Sequence, residues 1–176
     1  ELEVVLEEIR MNEDNPGRSL YRAIFGAAYS THPYRRPVIG YKEVVSGIKR
    51  DDMLKFFKRW YIPNNMTLVM AGDVNAEAAL NAAKNAFSGF KPAKDPHQLR
   101  AKEPEQKKLG AVVVEKNIKQ PQLGLAFHIP DLKNPDTYSI DVLAVILGGG
   151  ESSRLYKKLK IEDSLVYGIS AYAMTI

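Results

Sequence analysis

The chain contains no cysteine, which excludes disulfides, thiolate metal sites and cysteine nucleophiles. It has no apolar run long enough to span a bilayer and no signal-peptide pattern. Charge of a single sign is lacking too. Lysine and arginine number 25 against 21 aspartates and glutamates, a net charge of +4. The basic residues fall in pairs (Arg35-Arg36, Lys49-Arg50, Lys58-Arg59, Lys107-Lys108, Lys157-Lys158) with acids nearby. No glycine-aromatic or zinc-finger pattern accompanies them, so solvated faces explain them better than nucleic-acid binding does. Histidine is scarce: His32, His97 and His128 stand far apart.

What is present is ordinary for a folded chain. Of the 176 residues, 45% are hydrophobic and 26% charged, enough for a core in one domain or in parts of two. Glu1 opens inside a helical pattern without a capping residue. Residues 171–176 read as a strand that ends without a turn. Both ends lead us to expect an excerpt of a longer protein.

The opening stretch organises the rest. Leu2, Val5, Leu6 and Ile9 recur at helical spacing and define an inward face. Glu1 and Glu8, seven positions apart, share a second face beside that stripe. Carboxylates so placed are either a solvated acidic face or partners of a metal ion or a basic group. The rise between them is about 10 Å, so local geometry admits only one as a direct metal ligand.

Asn15-Pro16 then signals a second helix, with Leu20, Ile24, Ala27 and Ala28 on its apolar face. Residues 31–40 carry Pro33 and Pro37 and read as an irregular loop, with His32 as a turn or packing residue. Asp51-Asp52 starts a third helix with Leu54, Phe57 and Tyr61 inward. Residues 66–71 read as a buried strand, followed by a helix over 76–87. Residues 91–109, with Pro92, Pro96 and Pro104 and little apolar character, have the composition of a linker.

Beyond it we expect strands at 111–114 and 123–128, helices from about Asp136 and over 153–160, and a last strand from near Leu165. That order is mixed α+β rather than regular βαβ. The glycine-rich turn Gly148-Gly149-Gly150-Glu151-Ser152-Ser153-Arg154 fits neither a P-loop nor a dinucleotide fingerprint. It reads as a helix C-cap and tight turn, with anion binding to its amides as the alternative. Lys160 and Tyr167 could donate together to a substrate carbonyl, although such a pair alone carries no argument.

As a set, these pieces are specific. Glu-x-x-Val-Val-x-x-Glu over 1–8, Asn15-Pro16, His32-Pro33-Tyr34 with Pro37-Val38-Ile39-Gly40, and Tyr61-x-Pro63-x-Asn65-Met66 come first. Ala71-Gly72-Asp73-Val74 and Gly149-Gly150-x-Ser152-Ser153-Arg154-Leu155 follow, in order along the whole chain. Together they closely resemble the insulinase/pitrilysin family of zinc metallopeptidases, in its bacterial and mitochondrial-processing-like branch.

The resemblance implies parts of two consecutive sandwich-like α+β domains, each a largely antiparallel sheet with helices packed on it. Residues 1–90 would be the C-terminal part of the zinc-carrying domain, 91–109 the linker, and 110–176 the N-terminal part of a second domain of the same type. It further implies a Zn2+ ion held by two histidines of an inverted H-x-x-E-H helix and by a later glutamate, which Glu8 matches. Glu1 matches a glutamate that supports this site from behind the ligands. A zinc with three protein ligands keeps a position for water, and the glutamate of H-x-x-E-H would act as its general base.

The sequence contains no H-x-x-E-H, so no catalytic residue is expected within it, and the two histidine ligands are expected upstream of Glu1. Lys160 and Tyr167 match the arginine and tyrosine with which the non-catalytic half grips substrate, with lysine in place of the forked arginine. The implied partners are an extended peptide or protein substrate and a second peptidase half, in the same chain or as a separate subunit. Nucleic acid and membrane spans have no place in this reading. The alternative is an inactive paralogue that binds peptides or assembles a complex.

Overall fold

A computed structural model describes residues 1–97 and 101–174. It divides into two compact units, 1–124 and 125–176.

The first unit is built on helix α1 (Leu2–Asp14) and helix α2 (Pro16–Ala28). Asn15 joins them. Its backbone N–H donates to the Met11 carbonyl at 3.2 Å and closes α1. Its side chain accepts from the Arg18 N–H at 3.0 Å and opens α2, whose first residue is proline. The local signal predicted from sequence is therefore the one used. Arg22 pairs with Glu13 at 2.9 Å, and Arg18 bonds to Asn12, so polar contacts also bind the two helices.

The core of this unit is small. Leu6 and Ile9 of α1 bury against Val45, with Val5 and Ile39 packed around them. Ile9, 1% exposed, is its centre. Val45 comes from the short helix α3 (Lys42–Val45), which periodicity could not reveal because it is a single turn.

Helix α4 (Arg50–Trp60) begins one residue before the expected aspartates. The Lys49 N–H donates to Asp52 at 3.1 Å, Asp51 and Asp52 occupy the first turn, and Lys58 and Arg59 occupy the last, as the helix dipole favours. The Trp60 carbonyl accepts from Asn65 at 2.8 Å. Leu54, Phe57 and Tyr61, expected to face inward, are exposed. Helix α5 (Ala76–Ala86) is opened by Asn75, whose side chain accepts from the Ala78 N–H at 3.0 Å.

In the second unit, helix α6 (Thr137–Gly148) follows a turn in which Asp131 and Asn134 accept from nearby N–H groups. The Thr137 hydroxyl is buried and donates to the Asp131 carbonyl at 3.0 Å. The Gly149 N–H donates to the Val145 carbonyl at 2.9 Å and closes the helix. Gly150, at φ 95°, turns the chain where a side chain would be strained. The buried Ser153 fixes that turn by donating its hydroxyl to the Gly150 carbonyl at 2.6 Å. The expected helix over 153–160 is instead a π-helix (Tyr156–Glu162), braced by Lys158 on Asp163 at 2.8 Å.

The expected sheet-based α+β sandwich is corrected here. Among the described residues there is helix and extended chain, and no strand. The segments 66–71, 111–114, 123–128 and 165–174 run without ladder partners; Thr175 and Ile176 lie outside the described residues. The physical reason is that a helix satisfies its own backbone groups, whereas a strand must find a neighbour for them. Apolar character in a short run specifies burial, not a pairing partner. In these segments even burial fails: Val69 is 80% exposed, Val113 88% and Phe127 84%.

Candidate functional site

Helix α1 carries the two glutamates singled out from sequence. Leu6 and Ile9 anchor one side of it in the core, and this fixes the azimuth of the rest. Glu7 is committed to Arg10 at 2.8 Å. Glu8, its neighbour, is exposed, and no described residue donates a hydrogen bond to its carboxylate. Glu1 is exposed at the head of the helix, where its carbonyl accepts from the Val5 N–H at 3.2 Å.

As a metal centre these residues are incomplete. Among the described residues no three histidine, cysteine, aspartate or glutamate side chains converge. A zinc site takes three or four such donors, and the seven-residue spacing of Glu1 and Glu8 keeps them from sharing one ion. Glu8 can offer one ligand, which is not a site by itself.

Lys160 and Tyr167 meet different fates. The Lys160 ammonium donates to the Tyr156 hydroxyl at 2.9 Å and lies 4.5 Å from the centre of that ring. Tyr167, 82% exposed, stands in the extended segment that follows. The structure thus gives Lys160 a neighbour one helical turn back, a cation–π contact on its own element.

The best-organised polar cluster is one that sequence reading passed over. Around the turn after α2, His32 packs its ring on Tyr34 at 4.2 Å and on Tyr29 at 5.7 Å, and its Nδ1 accepts from the Tyr34 N–H at 3.3 Å. His32 is therefore the packing residue expected. Three successive amides of this turn point at one carboxylate. Glu103 Oε1 accepts from the Ser30 N–H and hydroxyl, both at 2.6 Å, and Oε2 accepts from the N–H groups of Thr31 at 2.9 Å and His32 at 2.6 Å.

Desolvation in this cradle pulls the Glu103 carboxyl up, but the Ser30 hydroxyl and the amides of His32, Ser30 and Thr31 outweigh it and bring it down to about 2. Desolvation, then the nearby Tyr34 and Glu103, raise the Tyr29 phenol. No local signal could have found this pairing, because its partners are 71 to 73 positions apart.

Comparison with known proteins agrees with the motif set. The sequence profile of the peptidase M16 inactive domain matches residues 47–175. An uncharacterized zinc protease of Rickettsia felis is 29% identical over 176 residues, covering 99% of this chain and 42% of the relative. The zinc protease PqqE of Helicobacter pylori is 32% identical over 166 residues, covering 90% and 37%. A crystal structure of a protease from Helicobacter pylori superimposes with a TM-score of 0.80 at 28% identity, over 99% of this chain and 43% of that one. The chain thus spans about two-fifths of the length of the relatives it matches. On the family profile and this likeness along its whole length, the chain belongs to the peptidase M16 family, the insulinase/pitrilysin family that its motifs resemble.

Proposed function

We propose that these residues are part of a zinc-dependent endopeptidase of extended peptides, and that Glu8 is the one metal ligand they contribute. The observation that carries the reading is the contrast along α1. Leu6 and Ile9 lock the helix into a core while Glu8, between them in sequence, is left exposed and uncommitted. A carboxylate held by a fixed helix is preorganised as a ligand, at no cost of breaking a prior bond. Glu1, one helical repeat earlier, supports the site without touching the ion. Bound zinc supplies an activated water; the histidines and general base belong to an H-x-x-E-H that this sequence does not contain.

The relatives' naming as zinc proteases supports the zinc protease reading. A second reading draws on the matched profile, which is that of the inactive domain type: a non-catalytic paralogue that binds peptide or a second peptidase half. One experiment separates them. In the full natural chain, Glu8→Gln is expected to lower zinc content well below one equivalent and to abolish peptide cleavage, with helix content unchanged. Glu1→Gln should weaken zinc retention about 10–100-fold, as loss of a supporting partner does. Unchanged zinc content in Glu8→Gln rejects the ligand assignment. A wild-type chain with neither zinc nor cleavage establishes the non-catalytic reading.

A further inference from the structure

Residues 91–109 have the composition of a linker, yet the described stretches 91–97 and 101–116 are bonded to other parts of the first unit, on both sides of 98–100. The Ala93 N–H donates to Asn64 Oδ1 at 3.1 Å, and the Ala93 carbonyl accepts from Asn64 Nδ2 at 3.0 Å. The Pro96 carbonyl accepts from Arg59 at 3.5 Å, and the His97 ring stands edge-on to Trp60 at 5.6 Å. Further on, the Lys116 ammonium donates to the Glu13 carbonyl at the end of α1. Between these lies Glu103 in its cradle of three amides and a hydroxyl.

These contacts share a logic. Asn64, Arg59, Glu103 and Lys116 each bond a backbone group across the gap, so each ties a side chain of one segment to the main chain of the other. A segment rich in proline cannot anchor itself through a helix or a ladder, and side chains do it instead. Glu103 is the strongest of the fasteners. Its bonds are charge-assisted, and both of its oxygens are used. Its partners are successive amides of a turn that is itself stiffened by the Tyr29, His32 and Tyr34 rings and by Arg35 donating to the Ser30 carbonyl at 2.7 Å.

We propose that the stretches 91–97 and 101–116 are a fixed strap rather than a tether, and that the Glu103 carboxylate is the clasp that closes the second of them on the Ser30–Thr31–His32 turn. The clasp gives the first unit a constraint that its small core does not supply, because it joins the turn after α2 to chain more than seventy positions later. Opening it frees two segments at once, the turn and the strap.

Backbone hydrogen exchange in the full natural chain tests this, read residue by residue by fragmentation mass spectrometry, with limited trypsin cleavage at Lys102, Lys107 and Lys108 alongside. In Glu103→Ala the amides of Ser30, Thr31 and His32 are expected to exchange at least tenfold faster, and the three lysines to be cut faster. Glu103→Gln keeps one acceptor oxygen and should give an intermediate rise. Glu105→Ala, an exposed neighbour, should leave both readouts at the wild-type level. Wild-type exchange at the three amides in Glu103→Ala overturns the proposal. Should that variant fail to fold, Glu103→Gln decides: a rise spread evenly over the chain, with no excess at the three amides and the strap, also overturns it.

Discussion

Two glutamates of this chain show how environment decides what the same side chain is for. Glu103 has every lone-pair direction it needs filled by N–H and O–H donors, and Glu8 has none filled by a described residue. The first is spent on structure and the second is available to something else. Linkage gives the Glu103 contact a definite pH window. Its folded value, about 2, lies below the ordinary 4.5, so the folded state favours the charged form. The stability it contributes is fully present above about pH 4.5 and is lost as pH falls through about 2. We expect the Glu103 carboxyl carbon, followed by NMR in the full natural chain, to titrate with a midpoint near 2 and to move to the ordinary glutamate range in a Ser30→Ala, Glu103-labelled sample only in part, since three amides remain. A wild-type midpoint in the ordinary range would show that the cradle is open in solution.

At the scale of elements, what was legible was whatever is local. The Asn15-Pro16 cap, the acidic start of α4 and the inward Leu6 and Ile9 were all readable because each depends on residues within one or two turns. The extended segments were misread as strands because sheet formation depends on residues elsewhere. The Glu103 clasp was invisible for the same reason, and α3 because one turn has no period. Of the proposed site, periodicity places the Glu8 carboxylate beside an apolar stripe but cannot say what it binds; only the family resemblance assigns it a metal.

The turn after α6 was readable as a turn, but its tightest demand shows only in three dimensions. A Cβ on Gly148 would lie 2.1 Å from the Ala171 backbone nitrogen, where the Gly148 carbonyl already accepts from the Ala171 N–H at 3.4 Å. Backbone cannot yield as a flexible side chain does. Gly148→Ala should therefore cost about 1–3 kcal/mol or more, the range of overpacking, and raise exchange at Ala171 first. Gly124→Ala makes the contrast: its nearest atom is the Cδ1 of Ile24 at 2.3 Å, a side-chain end that can rotate away, so its cost should be smaller. Equal melting temperatures for wild type and Gly148→Ala would remove the close approach.

For the molecule as a whole, the deciding quantity is surface. The chain exposes 15150 Å². A folded monomer of this mass exposes about 8,600 Å², and two separate folded bodies of the sizes of the two units would expose about 10,000 Å² together. Exposed apolar side chains contribute to that excess: Val69, Val113, Leu123 and Phe127 stand in solvent, and Leu54, Phe57 and Tyr61, which periodicity marks for a core, are exposed as well. Patches of that extent are stable in water only when something covers them. A polypeptide of these 176 residues alone is therefore expected to bind the dye ANS strongly and to elute as associated species at micromolar concentration, with its helices intact by circular dichroism. The full natural chain should bind little dye. If the 176-residue polypeptide instead runs as a monomer without dye binding, these apolar segments are covered from within the chain, and the exposure described for α4 and the extended segments does not persist in solution.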